Sequence, residues 1–227
     1  MIWLVFFLSG FAALLYQLVW QRALFAIYGI NIESVTMVVT AFMLGLGLGS
    51  LAGGALSKDS RRQVLVLFSL VEAGIGTFGI FSLGLFRAVG AATLDLSPAA
   101  TAGVTFALVL VPTMLMGGTL PLLVAHEVRA SGNVGRSVGM LYFVNTLGSA
   151  LASLAAATFV MGSLGQSGTV RLAAGINFSI AAIIYVYNAR LQRTATAAAI
   201  ASVSVPPGVT EADIDTGAVA GSETERA

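Results

Sequence analysis

Six long apolar runs, separated by short polar connections, occupy the chain from Trp3 to Asn188. An α-helix rises ~1.5 Å per residue, so ~20 apolar residues match the hydrocarbon thickness of a bilayer. The runs fall at 3–20, 35–56, 64–86, 101–125, 137–160 and 170–188. With 57% hydrophobic and 9% charged residues, the chain cannot cover a water-soluble globule. The expectation is an all-α, polytopic membrane protein with six transmembrane helices. The first run has neither a basic leader nor a small-x-small cleavage site, and reads as a retained helix.

The second run carries the most specific packing signal. Gly45, Gly49 and Gly53 recur four residues apart and lie on one helix face. Small residues at that spacing let helix backbones approach closely where lipid supplies no hydrophobic drive. The run stops at Lys58, Asp59, Arg61 and Arg62, whose basic residues mark a cytoplasmic end. With the N-terminus inside, inner segments hold Lys58, Arg61, Arg62, Arg129, Arg136, Arg190 and Arg193, against Arg22, Arg87 and Arg171 outside. This asymmetry predicts a multi-pass protein of the cell inner (plasma) membrane with both termini cytoplasmic.

Several functions are excluded by what the chain lacks. There are no cysteines and a single histidine, His126, so thiolate and multi-histidine metal sites are ruled out, and no metal or cofactor is expected. A net charge of +1 gives no support to nucleic-acid binding. Gly74 to Gly79 matches GxGxxG and Gly45 to Gly49 matches GxGxG, but both lie inside apolar runs, without the strand, loop and solvent that phosphate binding requires. They read as helix-packing positions. Residues 191–227 are rich in Ala, Thr, Ser and Gly with Pro206-Pro207, and are expected to form a disordered cytoplasmic tail.

Within the spans, Glu72 is the ionisable side chain placed deepest. A carboxylate at mid-membrane costs roughly 2.5–3.5 kcal/mol on insertion scales and should face protein or water. Counting from Val64 places it about 12 Å from the cytoplasmic end, and Asn145 lies at a comparable depth on the fifth run. Ser50, Thr119 and Thr146 come from the same half, so Glu72, Asn145, Thr146, Ser50 and Thr119 form a candidate substrate or proton site. The alternative is a carboxyl group that ties helices together. Pro112, Gly117, Gly118 and Pro121 predict a kink or local unwinding of the fourth helix, either a hinge or a static bend. Trp3 and Trp20 sit like interfacial anchors at the ends of the first run, with Tyr16 and Gln17 as interfacial hydrogen-bonding residues.

Four strings occur in order: Ser9 to Arg22 (SGFAALLYQLVWQR), Ala41 to Ser50 (AFMLGLGLGS), Pro112 to Pro121 (PTMLMGGTLP) and Asn145 to Gly148 (NTLG). Together they resemble the membrane portion of fused MFS transporter/spermidine synthase proteins, across residues 1 to 190. Gly54 to Arg62 is also similar to the loop between helices two and three of major facilitators, differing in its charge order, with Lys58 before Asp59. The resemblance implies a half-MFS-like bundle. It does not extend to the soluble aminopropyltransferase domain with its glycine-rich loop, so no catalysis is expected on this chain. Either the synthase is a separate polypeptide, or this is a membrane module used without it.

Two classes of function follow as expectations. The chain is a transporter-like module that binds or moves polyamines or other organic cations, or anchors a synthase. Six helices make half of a facilitator, so transport would need a homodimer or another membrane subunit. Alternatively, it is a non-catalytic structural subunit of a larger membrane complex. No HExxH or GxSxG pattern lies in a span to suggest an intramembrane enzyme.

Overall fold

The computed structural model describes residues 1–28, 32–59, 63–93 and 95–203. Within these residues the chain forms α1 (Ile2–Tyr28), α2 (Ile32–Ser57), α3 (Val64–Ala92), α4 (Pro98–Ser131), α5 (Val134–Ala155) and α6 (Met161–Val203). A five-residue π turn, Ala156–Val160, continues α5 into α6. No strand occurs among the described residues.

Local chemistry sets the helix ends. Ser97 accepts a hydrogen bond from the Ala100 amide at 3.3 Å, and Pro98 occupies the first turn, where its missing N–H costs nothing. At the other end of α4, Gly132 adopts a left-handed φ of 69° and donates its amide to the Val128 carbonyl. Asn133 then caps α5 by accepting from the Arg136 amide at 2.9 Å. The α4–α5 reversal is therefore two residues, Gly132 and Asn133, with complementary roles.

The chain divides into two compact units, Met1–Val186 and Tyr187–Ala227. In the first, side-chain pairings fix the helix directions. Ser9 meets Glu72 and Trp20 meets Ser82, so α1 and α3 run parallel. Asn145 meets Phe6 and Ser149 meets Gly10 with the same offset, so α1 and α5 run parallel too. Arg129 donates to the carbonyls of Ser57 (2.7 Å) and Asp59 (3.2 Å), which places the α2–α3 connection and the end of α4 on one side of the bundle. The core draws on all six helices, including Leu15, Trp20, Phe42, Ile75, Phe86, Val109, Ala152 and Ala173.

The exterior is as apolar as the interior. Leu51 is 74% exposed, Phe81 66% and Phe143 57%, a surface that suits lipid and not water. Among the described residues, five helical stretches are long and apolar enough to cross a membrane: Ile2–Ala26, Val35–Ser57, Val64–Ala92, Ala99–Ser131 and Val134–Ala197. This is a multi-pass membrane protein by helix length and composition. The fifth stretch contains a non-helical residue, Gly165, at φ 63° and ψ −175°. That backbone region is open essentially to glycine alone.

Three expectations need correction. Residues 191–203, expected to be disordered, continue α6 as helix, because the Ala-rich run from Ala195 has high helix propensity; residues 204–227 lie outside the described residues. Local unwinding of α4 does not occur, since the helix is continuous from Pro98 to Ser131 through Pro112 and Pro121. Trp20 and Tyr16 are not interfacial. Both are fully buried, because α1 runs on to Tyr28 and carries them into the bundle.

Candidate functional site

Glu72 is fully buried at the junction of α1, α3 and α6. Its Oε1 accepts the Ser9 hydroxyl at 2.6 Å, and its Oε2 accepts a short hydrogen bond from the Asn177 side-chain amide. Both carboxylate oxygens are thus held by polar side chains from neighbouring helices. Helix packing makes the approach feasible: Gly76, one turn beyond Glu72, lies against Phe178 and the Ala174 carbonyl of α6 with no side chain between.

Ser9 and Asn177 also line a cavity of about 280 Å³, together with Asn145, Ser50 and Thr119. Apolar walls come from Phe6, Leu46, Ile75, Met116 and Leu120. Glu72 itself stands behind Ser9 and Asn177, one side chain removed from the opening. Two buried polar atoms near the carboxylate have no hydrogen-bond partner, the Tyr16 hydroxyl and Asn177 Oδ1. Asn177 donates to Glu72 through Nδ2, which leaves its acceptor unused.

The structure therefore divides the sequence candidates. Asn145, Ser50 and Thr119 share the cavity, and Glu72 adjoins it through its partners. Thr146 is exposed and does not line the cavity. Asn145 has a structural tie as well, donating its amide to the Phe6 carbonyl at 3.2 Å. Ser9 and Asn177 were missed. Asn177 had a signal, being a side-chain amide inside the sixth apolar run, where an unpartnered polar group is costly.

The glycine face of α2 and the Pro/Gly segment of α4 meet directly. A β-carbon on Gly45 would overlap Thr113, one on Gly49 would overlap the Met114 carbonyl, and one on Gly53 would lie 2.7 Å from the Gly118 carbonyl. From the other side, a β-carbon on Gly117 would overlap the Leu46 carbonyl. Backbone packs on backbone along this contact. Pro121 has no N–H, so the Gly117 carbonyl lacks its usual helical donor, and Gly117 lines the cavity. Gly118 is buried in the same contact, and Pro112 is buried as well.

Below the carboxylate lies an aromatic cluster. Tyr16 stacks on Trp20 with centroids 5.0 Å apart, and Trp20 meets Phe78 and Phe86 edge-on at 5.4 and 6.0 Å. The Trp20 indole donates to Ser82 Oγ at 2.9 Å, and Ser82 donates to the Gly79 carbonyl at 2.7 Å. Of the residues read as topology determinants, Lys58 is exposed at the end of α2, whereas Arg61 and Arg62 lie outside the described residues. No family model, curated protein or solved structure matches this chain.

Proposed function

We propose that this protein is a transporter-like membrane module whose Glu72 centre binds a proton or a small organic cation reaching it through the adjoining cavity. The observation that carries the reading is a fully buried carboxylate whose two hydrogen-bond partners, Ser9 and Asn177, both line that cavity. Ionisable residues inside membrane bundles characteristically mark ion or proton paths. The motif resemblance to the membrane part of the spermidine synthase fusions points the same way, toward polyamines or related cations.

In this reading the chain crosses the membrane six times. The last apolar stretch, Val134–Ala197, would extend ~96 Å as one helix, about three times the hydrocarbon thickness, and the Gly165 break supplies the turn between a fifth and a sixth crossing. Both termini then lie in the cytoplasm of an inner (plasma) membrane, on the side of Lys58 and Arg129. A homodimer would complete the facilitator architecture and bring a second Glu72. The test is uptake of radiolabelled putrescine into proteoliposomes under a proton gradient: Glu72→Gln abolishes gradient-driven uptake, and full retained uptake would overturn the proposal.

A second reading rests on the satisfaction of Glu72 itself. Both its oxygens are occupied by internal donors, which suits a tie between three helices in a non-catalytic subunit of a larger complex. Native sizing and mass spectrometry after gentle extraction separate the two, since stoichiometric co-purification with other subunits, or a separate synthase, favours the subunit.

A further inference from the structure

A groove of about 630 Å³ runs between α1 and α6 on the side away from the carboxylate centre. Its walls are apolar, with Leu4, Ile176, Ile180 and Ile183 among them. Ser179 also lines it but donates its hydroxyl to the Gly175 carbonyl at 2.7 Å, so it offers little polar attraction. Arg171 is the exception. It is the lining residue of α6 nearest the Gly165 break, it is exposed, and no described residue hydrogen-bonds or ion-pairs with it.

An unpaired guanidinium at the head of an apolar groove is complementary to an anionic head carrying a hydrocarbon chain. Arg171 lies about 9 Å along the helix from Gly165, within reach of the interface for a side chain that extends its charge toward water. From Arg171 to Ile183 the groove follows α6 for about 18 Å, more than half the ~30 Å hydrocarbon thickness, and ends beside the first residues of α1. An acyl chain entering beside Arg171 can lie along it. At Gly175, which lines the groove, an added β-carbon would meet no atom within 4 Å, so this wall is left open.

We propose that this groove is a binding site for one glycerophospholipid of the leaflet on the Gly165 side, its phosphodiester on Arg171 and one acyl chain between α1 and α6. The guanidinium fork matches two phosphate oxygens at once. The site is separate from the Glu72 centre and does not depend on its role.

The test uses the full chain reconstituted with phosphatidylglycerol, or with diacylglycerol of the same chains, followed by native mass spectrometry from detergent. The wild-type protein retains one phosphatidylglycerol and no diacylglycerol. Arg171→Gln lowers retention roughly tenfold. Gly175→Leu, which fills the groove without touching the core, lowers it by a similar factor. Gly47→Leu adds the same side chain where a β-carbon likewise meets no atom within 4 Å, outside the groove, and leaves retention unchanged. Equal retention by Arg171→Gln and wild type overturns the proposal, as does retention of diacylglycerol. A dimer that Gly175→Leu dissociates overturns it as well, since a second copy would then occupy the groove.

Discussion

The Glu72 carboxylate and the Asn177 amide, 105 residues apart in sequence, form a short hydrogen bond that joins α3 to α6. With Ser9 on the opposite oxygen, the pair determines how α6 docks. Asn177→Leu removes one of two donors from a buried acid and should cost about 1.5–3 kcal/mol. Glu72→Gln should cost less, because its amide still accepts from one neighbour and donates to the other. Unfolding in mixed micelles ranks the two variants, and the opposite order would show that the carboxylate does not organise this junction.

The α2–α4 contact predicts a sharp contrast between neighbouring glycines. Gly49→Ala places a methyl group in the Met114 carbonyl and should destabilise by about 1–3 kcal/mol as the helices are forced apart. Two residues away, a β-carbon on Gly47 meets nothing within 4 Å, so Gly47→Ala should be neutral or stabilise by roughly 0.5–1 kcal/mol through helix propensity. Thermal melts in one detergent compare them directly.

Trp20 and Ser82 separate ring packing from hydrogen bonding. Ser82→Ala leaves the buried indole N–H without its acceptor, at a cost of about 1–3 kcal/mol. Trp20→Phe in the same background should recover part of the loss, because the donor disappears while an aromatic ring remains among Tyr16, Phe78 and Phe86. Tryptophan fluorescence and melting midpoints follow both changes, and simple additivity would count against the pairing.

Gly165 predicts a conformational penalty without any steric contact. Its φ of 63° with ψ of −175° disfavours any side chain, although open space surrounds it, so Gly165→Ala should cost about 1–3 kcal/mol. Cysteine labelling at Gln166 reads the result: altered accessibility to a membrane-impermeant reagent is expected where the turn is rebuilt.

Much of this architecture was legible because lipid makes simple demands. The apolar runs located the helices, and the spacing of Gly45, Gly49 and Gly53 identified the face that α4 covers, since four-residue repeats depend only on helix geometry. The site was less legible. Glu72 announced itself as a misplaced charge, but its partners depend on how each helix is rotated, which the depth count did not supply; Ser9 and Asn177 hold its oxygens, while Asn145, Ser50 and Thr119 line the adjoining cavity. Trp20 misled for a related reason. Its polar neighbours suggested a helix end, whereas Gly79 and Ser82 on α3 provide a smooth face on which Tyr16 and Trp20 are buried. The helical stretch at 191–203 shows alanine propensity outweighing the absence of an apolar face.

A joint made of main chain on both sides cannot be retuned by swapping side chains. Sliding α2 along α4 would drive Leu46 or Thr113 into the opposite backbone, so the two helices must travel as a single plank in any rearrangement of the bundle. The moving boundary then falls to the contacts made through longer side chains, and the carboxylate clasp between α3 and α6 is where such a movement would be felt first.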